Sequence, residues 1–354
     1  MEMDVKWKTE NILTQAISFR ASDIHIVPME KSGVIRFRVD GNLVEIEKFP
    51  LTLINKLINH LKFISGMDVG ERRRPQNSSL TVPLLDKSYA IRLSTFPSSF
   101  NETLVIRLFP HENHLSLPQL SLFPYQATKL INMIHAPYGL YVICGPTGSG
   151  KTTTLYSLLH TSFNVMKRNI ITLEDPVEQR CDQFLQMEIN ERAGITYSSG
   201  LRSLLRHDPD IIMIGEIRDS ETAKMAVRAA LTGHLVLTTL HSKNSVSALK
   251  RLHELGVKKT DLLDVIGGVV SQRLVNMLCP YCGASCVPYC KKQRKRRRGA
   301  VYEILTGTPL QEAIGLIDSW NSMTSVVSIN KVICKGIALG FIHESEYNRI
   351  GKGV

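Results

Sequence analysis

The first part of the chain alternates apolar and polar residues in short segments. Residues 11–19 and 51–65 have the apolar pattern of helices. The other segments carry apolar side chains at every second position. A period of two is typical of strands with one buried face. The alternating segments read "DIHIVP", "GVIRFRVDG", "LVEIE", "SLTVPL", "YAIRLSTF" and "TLVIRLF". The pattern predicts a mixed α+β domain over residues 1–112.

The hydrophobic pattern changes beyond this domain. Residues 113–124 contain prolines and no regular period, and we interpret them as a linker. In residues 125–278, apolar strands ("GLYVICG", "NIITLED", "DIIMIGE", "HLVLTTLH") alternate with helical segments. This alternation predicts an α/β domain with a parallel sheet covered on both faces. For residues 279–354 we expect a Cys-rich segment followed by helices near 309–317 and 326–340.

The stretch "GPTGSGKTT" at residues 145–153 joins a predicted strand to a predicted helix. It fits the pattern G-x-x-x-x-G-K-[ST], whose glycines let successive backbone N–H groups point at phosphate oxygens. Lys151 is placed to reach the β- and γ-phosphates, and the Thr152 hydroxyl is placed to ligate Mg²⁺. The stretch therefore predicts a site for ATP with Mg²⁺. The predicted binding residues are Gly145, Pro146, Thr147, Gly148, Ser149, Gly150, Lys151, Thr152 and Thr153.

Acidic residues close two of the predicted strands. Glu216 follows the apolar run "IIMIG", which would bring its carboxylate to the edge of the sheet beside the phosphates. A carboxylate in that place can orient or deprotonate a water molecule, and the alternative is a solvated residue at a strand end. Glu174, Asp175 and Glu178 follow another strand, so they are either neighbours of a cation or part of an acidic surface turn.

The charge of the chain is concentrated in one place. The formal net charge is +11, and seven of the 43 basic residues lie in "KKQRKRRR" at 291–298. We interpret the run as a solvated loop or as a contact with anionic lipid. No aromatic residue is interleaved with it, so direct nucleic-acid binding is not expected. The N-terminal segment has no secretory signal pattern, and the apolar runs are far below the roughly 18 residues of a membrane span, so we expect a cytosolic protein.

Four of the seven cysteines lie close together in the sequence, with spacings of two, three and three residues. Four thiolates can complete a tetrahedral zinc site, although this spacing is tighter than is usual for structural zinc. The alternative is a reduced, metal-free loop. The candidate zinc ligands are Cys279, Cys282, Cys286 and Cys290, whereas Cys144, Cys181 and Cys334 have the pattern of small apolar residues.

These motifs together resemble the secretion and type IV pilus assembly ATPases, the type II secretion "E" group of the RecA-like ring ATPases. Four signatures occur in order: the P-loop "GPTGSGKTTTLY", the Asp box "TLEDPVE", the Walker B segment "LLRHDPDIIMIGEIRD" and the His box "AALTGHLVLTTLH". The N-terminal part matches as well, in "ASDIHIVP", "FRVDG" and "GERRRPQNSSL". The resemblance covers residues 10–305.

The resemblance implies a homohexameric ring whose chains have a PAS-like N-terminal domain and a RecA-like ATPase domain. It also implies the roles of seven residues. They are Glu216 as the catalytic acid, Glu174 and Glu178 as acids near metal and water, His234 and His241 as sensors of the γ-phosphate, and Arg92 and Arg107 as arginines that reach the nucleotide. Without the resemblance, the histidines would be interpreted as core residues and the arginines as exposed strand residues.

Two departures from the family pattern narrow the expected function. The chain has only a short segment before "ASDIHI", where larger members have an additional domain, and it has the segment "RLVNMLCPYC" at 273–282, which retraction-type members lack. This compact form most resembles the competence-pilus ATPases of Gram-positive bacteria.

The expected function is an ATP-hydrolysing motor for assembly of a DNA-uptake pseudopilus at the cytoplasmic face of the membrane. The expected output is rotation between the two domains, passed to a polytopic membrane platform protein that handles pilins. Two alternatives remain: a motor for type II protein secretion or for a type IV pilus, and a scaffold that binds ATP without hydrolysing it.

Overall fold

The structure is a computed structural model, and it describes residues 5–84, 87–109, 115–284, 286–287, 290, 293–294, 296–317 and 328–350. The chain divides into two compact units. One unit comprises residues 1–113 together with 285–297, and the other comprises 114–284 together with 298–354. The domain boundaries at 112, 124 and 278 stay a prediction.

The first unit is built on a six-stranded antiparallel sheet. Its strands are β1 Asp23–Pro28, β2 Ser32–Val39, β3 Asn42–Pro50, β4 Asn77–Leu84, β5 Lys87–Ser98 and β6 Asn101–Phe109, in the spatial order β3-β2-β1-β6-β5-β4. Helices α1 Val5–Ser18 and α2 Leu51–Ile64 contribute to the same core. Ile24 and Ile26 are buried in that core, and His25 between them points to the opposite face because side chains alternate along a strand.

The second unit is built on a seven-stranded sheet. Its strands are β7 Gly139–Cys144, β8 Ile170–Glu174, β9 Leu185–Glu188, β10 Ile211–Ile214, β11 Leu235–Leu240, β12 Ile266–Asn276 and β13 Arg298–Leu305, in the spatial order β13-β12-β7-β11-β10-β8-β9. Neighbouring strands are parallel except β12 and β13, which are antiparallel. The sequence pattern predicted β7, β8, β10 and β11 from their apolar runs, but it did not predict β9, β12 or β13.

Helices cover both faces of this sheet. They are α3 Leu117–Leu120, α4 Pro124–Ile134, α5 Lys151–Met166, α6 Tyr197–Leu204, α7 Ser220–Leu231, α8 Ser245–Glu254, α9 Lys259–Val265, α10 Thr308–Gly315, α11 Ile329–Ala338 and α12 Ser345–Ile350, with a 3₁₀ turn at Glu191–Ala193. Leu140 and Val142 of β7 pack with α6 to α10, whereas Ile143 packs with α3 to α5. Each fully buried leucine or isoleucine contributes about 1.5–3 kcal/mol. The predicted α/β fold class is confirmed.

The C-terminal helices lie close to their predicted positions. The helix predicted at 309–317 corresponds to α10, and α11 lies within the predicted range 326–340. Residues 318–327 are outside the described part of the chain. Among the described helices, none has the length and apolar character needed to cross a bilayer.

Candidate active site

The predicted phosphate-binding loop lies between β7 and α5, and α5 begins at Lys151. Gly145 and Gly150 have φ angles of 150° and 85°, in the left-handed region that glycine adopts at little cost. A Cβ atom on Gly145 would lie 2.6 Å from the backbone oxygen of Gln272. The loop therefore passes too close to β12 for a side chain at this position. The first turn of α5 leaves backbone N–H groups without helical partners, which suits a phosphate ligand.

Lys151 is folded back onto the loop from which it extends. Its Nζ atom donates to the carbonyl oxygens of Gly145 at 3.0 Å and Pro146 at 3.1 Å. The side chain is buried, and burial lowers the pKa of its ammonium group. Thr152 is partly buried and Thr153 is exposed. An arriving phosphate would replace the two carbonyl contacts as the partner of Lys151.

The four central parallel strands end at the same edge of the sheet. Leu240 at the end of β11 is in register with Cys144 at the end of β7, and Ile214 at the end of β10 is in register with Leu173 of β8. The residues that follow these strands therefore share one edge. They are the P-loop, His241, Glu216 and the segment that begins at Glu174.

Glu216 has a defined set of partners at this edge. Its Oε2 atom lies 3.4 Å from Nε2 of His241, and its Oε1 atom is paired with the guanidinium of Arg218. Arg218 also reaches Asp175, with 3.3 Å between Nη1 and Oδ2. The Glu216 carboxylate is 18% exposed, so water can still reach it. The structure thus brings together Glu216 and His241, two of the predicted site residues, and adds Arg218. Hydrogen bonding to Glu216 raises the pKa of Arg218 and so favours its charged form.

His241 directly follows β11, and its ring faces Glu216. Partial burial lowers the pKa of its imidazole, and the nearby positive charge of Lys151 lowers it further. Both effects favour the neutral form of the ring. A neutral imidazole can donate one hydrogen bond to Glu216 and keep the other nitrogen as an acceptor.

The structure does not bring His234 to the P-loop. His234 precedes β11, at the end where Leu235 is in register with Gly139 at the start of β7. A strand of six residues is about 20 Å long, so His234 and His241 lie at opposite edges of the sheet. The ring nitrogen Nδ1 of His234 lies 3.0 Å from the backbone oxygen of Ala229. The register of β11 therefore excludes a contact between His234 and a phosphate in the P-loop of the same chain.

Glu174 is buried and fully engaged. Its two carboxylate oxygens accept hydrogen bonds from the Tyr156 hydroxyl, each at 2.8 Å, and Oε1 also accepts from Oγ1 of Thr172 at 2.7 Å. Nε2 of Gln186 lies 3.3 Å from the same oxygen. Burial and the negative charge of Glu174 raise the pKa of the Tyr156 phenol. Glu178 is exposed, so the two predicted acids differ in their surroundings.

Arg92 and Arg107 lie opposite each other on β5 and β6 of the first unit. Both side chains are exposed. Nε of Arg107 donates to Oδ1 of Asp23 at 2.9 Å, and Asp23 is the residue opposite it on β1. The two predicted arginines therefore form a pair on the open face of this sheet, with one of them held by an aspartate.

The four clustered cysteines converge. Their sulfur atoms all lie within 4.8 Å of one another. Hydrogen bonds of 3.1 Å and 2.9 Å between the backbones of Cys279 and Gly283 close a tight turn in this segment. Four zinc-bound thiolates at about 2.3 Å from the metal would be close to this arrangement. The donor set therefore fits Zn²⁺.

The basic run is not uniformly exposed. Lys291, Lys292 and Lys295 are outside the described residues, but Arg297 is buried and its Nε lies 3.1 Å from Oδ2 of Asp40. Nη2 of Arg297 also donates to the backbone oxygen of Phe19 at 2.9 Å. Arg297 is thus part of the core of the first unit and is not available to a lipid surface.

Sequence reasoning missed two site residues that were present in its own motifs. Tyr156 ends the P-loop signature "KTTTLY" and Arg218 follows Glu216 in "GEIRD". Only Arg218 had a local signal, since it is on the same side of the extended chain as Glu216. Nothing local indicates that Tyr156 contacts Glu174, because β8 is brought to α5 only by the tertiary fold.

Comparison with known proteins gives a match along most of the chain. The model of a family described as "Type II/IV secretion system protein" matches residues 3–349. Competence protein ComGA of Bacillus subtilis is 45% identical over 342 residues, which are 96% of each chain. Type II secretion system protein E of Dickeya dadantii is 42% identical over 272 residues, which cover 77% of this chain and 54% of that protein.

Solved structures share the fold. The Legionella pneumophila ATPase DotB superposes with a TM-score of 0.76 at 24% identity, covering 98% of this chain and 96% of DotB. The pilus retraction motor PilT with bound ADP superposes with a TM-score of 0.68 at 25% identity, covering 95% of both chains.

Proposed function

We propose a function that starts from the family of the chain. The chain belongs to the type II/IV secretion system protein family, as the resemblance of its motifs predicted. Its activity is ATP hydrolysis. We propose that it uses this activity as a motor for assembly of a competence pseudopilus that serves DNA uptake. The proposal rests on the sheet edge that the P-loop, Glu216 and His241 share. The role in competence is supported by the match to a competence protein over nearly the whole chain.

The proposed chemistry is transfer of the γ-phosphoryl group to water. Lys151 and the backbone of residues 145–150 bind the phosphates, and Thr152 would hold Mg²⁺, which would supply positive charge at the β- and γ-phosphate oxygens. Glu216 orients the attacking water and accepts its proton. His241 and Arg218 hold the Glu216 carboxylate between them, which fixes its direction. Glu174, locked by Tyr156, is the second acid of the site.

The proposed assembly is a ring of six identical chains, in which Arg92 and Arg107 of one chain complete the site of a neighbour. Their exposure and mutual pairing on one open sheet face support this proposal. A polytopic membrane platform protein is the proposed partner, with pilins as indirect partners, and no direct contact with nucleic acid is proposed. The proposed location is the cytoplasmic face of the plasma membrane, with anionic lipid near residues 291–296 and a structural Zn²⁺ on the four clustered cysteines.

Competence is favoured over type II secretion by the extent of the matches. The similarity to ComGA spans 96% of both chains, whereas this chain spans about half the length of the type II secretion relative. A type II secretion or pilus motor is the second candidate, since its members are nearly as similar over the shared region.

Two substitutions test the activity. Glu216→Gln preserves shape and removes the proton acceptor, so steady-state phosphate release should fall by about 10²–10⁴-fold while ADP affinity stays unchanged. Lys151→Ala should abolish nucleotide binding. Glu254→Gln, which changes a surface acid paired with Arg251, is the matched control. Equal turnover in Glu216→Gln and wild type would remove Glu216 from the catalytic role, and a wild type that binds nucleotide without releasing phosphate would support a nucleotide-binding scaffold instead.

The biological role is tested in the source bacterium with Glu216→Gln at the chromosomal locus. Loss of DNA uptake with unchanged secreted protein supports the competence motor. Loss of secreted protein with normal DNA uptake would assign the chain to type II secretion.

Complementation tests the ring. Lys151→Ala subunits keep intact arginines and Arg92→Ala subunits keep an intact pocket, so mixed rings should regain activity at about a quarter of their interfaces. If subunit exchange is confirmed and the mixture hydrolyses ATP no faster than either variant alone, Arg92 and Arg107 act within their own chain or have no role in hydrolysis.

A further inference from the structure

Three consecutive residues of β12 contact both loops of the proposed phosphate site. Ser271 is in register with Cys144, the last residue of β7, so the segment 271–273 runs beside the start of the P-loop. The loop that follows His241 lies against the same segment, since Oγ of Ser271 is 3.5 Å from the backbone oxygen of Lys243. The segment thus lies between two loops that are distant from each other in the sequence.

Gln272 holds the P-loop. Its amide Nε2 donates to the backbone oxygen of Ser149 at 2.8 Å, and the residue is only 1% exposed. A Cβ atom on Gly150 would lie 3.0 Å from the same Nε2, and one on Gly145 would lie 2.6 Å from the backbone oxygen of Gln272. Gln272 therefore contacts the P-loop at both of its ends.

The buried amide of Gln272 is not explained by packing alone. Among the described residues, its Oε1 atom has no hydrogen-bond partner, and neither does Oγ of Ser149. Burying an unpaired polar atom is unfavourable, so an apolar side chain of similar volume would stabilise a purely structural core better. The amide is useful for its single contact with the loop.

Arg273 holds the second loop. Its Nη2 atom donates to the backbone oxygen of Lys243, two residues after His241, and its Nη1 atom donates to Oγ of Ser271 at 3.3 Å and to the backbone oxygen of Gln272 at 2.9 Å. The guanidinium is buried, and this burial lowers its pKa. Its hydrogen bonds go to backbone and hydroxyl oxygens, so its donors fix the path of the backbone beside His241.

We propose that Gln272 and Arg273 are positioning residues: Gln272 shapes the P-loop for nucleotide binding, and Arg273 sets the backbone that presents His241 to Glu216. The inference rests on the proposed ATPase site. Because the two residues are adjacent on one strand, displacement of one loop by nucleotide is transmitted to the other through β12.

The test compares two variants with a control on the same strand. Gln272→Met removes the amide at nearly constant volume, and Arg273→Lys keeps the charge but loses the branched donors. Val275→Ala is the control, since Val275 is equally buried on β12 and packs with Leu122 and Ile329, away from both loops. Each protein is measured for ADP affinity by calorimetry, for kcat and KM by phosphate release, for melting temperature, and for hydrogen exchange of residues 241–244.

Gln272→Met should weaken ADP binding by about tenfold, the effect of losing one hydrogen bond to a buried carbonyl. Arg273→Lys should lower kcat by about tenfold, leave ADP affinity within about twofold, and speed exchange at 241–244. Val275→Ala should lower only the melting temperature. If Gln272→Met is insoluble, Gln272→Asn, whose shorter amide cannot reach Ser149, should give the same loss of affinity.

Several results would overturn the proposal. If the Gln272 and Arg273 variants show only a lower melting temperature, as expected for Val275→Ala, the two residues have a structural role alone. Unchanged ADP affinity in both Gln272 variants would remove Gln272 from the site, and unchanged exchange at 241–244 would do the same for Arg273. If the wild type binds ADP but does not hydrolyse ATP, the proposed function fails while the ADP and exchange measurements still decide the positioning roles.

Discussion

The hydroxyl of Tyr156 is a sharp place to perturb the site, because it joins the P-loop helix to the acid that ends β8. Tyr156→Phe removes one oxygen and leaves the ring packing with Phe184 and His160. The carboxylate of Glu174 then loses the donor that lies 2.8 Å from each of its oxygens, and it stays buried. Thr172 and Gln186 remain as its donors.

The magnitude follows from that change. A hydrogen bond to a charged group is worth about 1.5–3 kcal/mol, and the two remaining donors place the loss near the lower value. For a unit of this size, about 1.5 kcal/mol corresponds to a fall in melting temperature of roughly 3–6 °C. Because Glu174 is also freed to move, we expect phosphate release to decrease together with the melting temperature.

Tyr141→Phe is the matched control. Tyr141 is half-buried on β7, only burial raises the pKa of its phenol, and no hydrogen bond of its hydroxyl is found among the described residues. This control should change the melting temperature by less than about 1 °C, as expected for a substitution outside any network.

A double-mutant cycle tests the assignment directly. Tyr156→Phe should cost less in a Glu174→Gln background, with an interaction of about 1 kcal/mol. The cycle is read from melting temperature and from kcat/KM. If the two substitutions add within about 0.5 kcal/mol, the hydroxyl and the carboxylate are not coupled and the reasoning is refuted.

Three further predictions concern pH, metal and lipid. The pKa of His241 is lowered in the folded chain, so the unfolded chain binds this proton more readily. The contribution of His241 to stability is therefore present above pH 6.5 and decreases as the pH falls below that value. Turnover of the wild type should decrease at acidic pH, and this decrease should disappear in His241→Gln. Purified protein should contain about one Zn²⁺ per chain by metal analysis, and a chelator should lower its melting temperature; zinc-free protein from a chelator-free preparation would contradict the site. Substitution of the basic residues of 291–296 by neutral residues, with Arg297 retained, should abolish salt-sensitive binding to vesicles with anionic lipid. Arg297→Gln should instead lower the melting temperature, because it breaks the buried ion pair with Asp40. Vesicle binding that does not depend on salt would indicate an apolar contact.

Local sequence patterns predicted those parts of the fold that local forces determine. The central parallel strands β7, β8, β10 and β11 are apolar runs, and the P-loop is a glycine pattern between a strand and a helix, so both could be recognised from a few residues. β13 was missed because "RGAVYEIL" directly follows the basic run and pairs with β12, a partner that is recognised only in the folded sheet. The basic run was treated as one exposed segment, and the burial of Arg297 depends on Asp40, far away in the sequence.

The same distinction applies to the site. Glu216 was predictable because a carboxylate after a short buried strand must lie at the edge of the sheet. His234 and His241 were grouped because they belong to one motif, but a strand of about 20 Å separates them, and only the parallel register of β11 with β7 shows which of them shares the edge with the P-loop. Tyr156, Gln272 and Arg273 act through contacts between elements, so single-chain periodicity contains no signal for their partners.

The contacts of Lys151 and Arg218 suggest a route by which the proposed nucleotide binding moves the loops of the site. Lys151 is engaged with two carbonyl oxygens of its own loop, and Arg218 is engaged with Glu216, so the positive groups of the site already have partners. A triphosphate must therefore exchange these contacts and not simply add to them. The exchange frees the Gly145 and Pro146 carbonyls, and the resulting change in the P-loop acts on Gln272, which contacts the loop at both ends. Because Arg273, the next residue, holds the loop after His241, we expect a shift at the phosphates to reach Glu216 and His241 through β12.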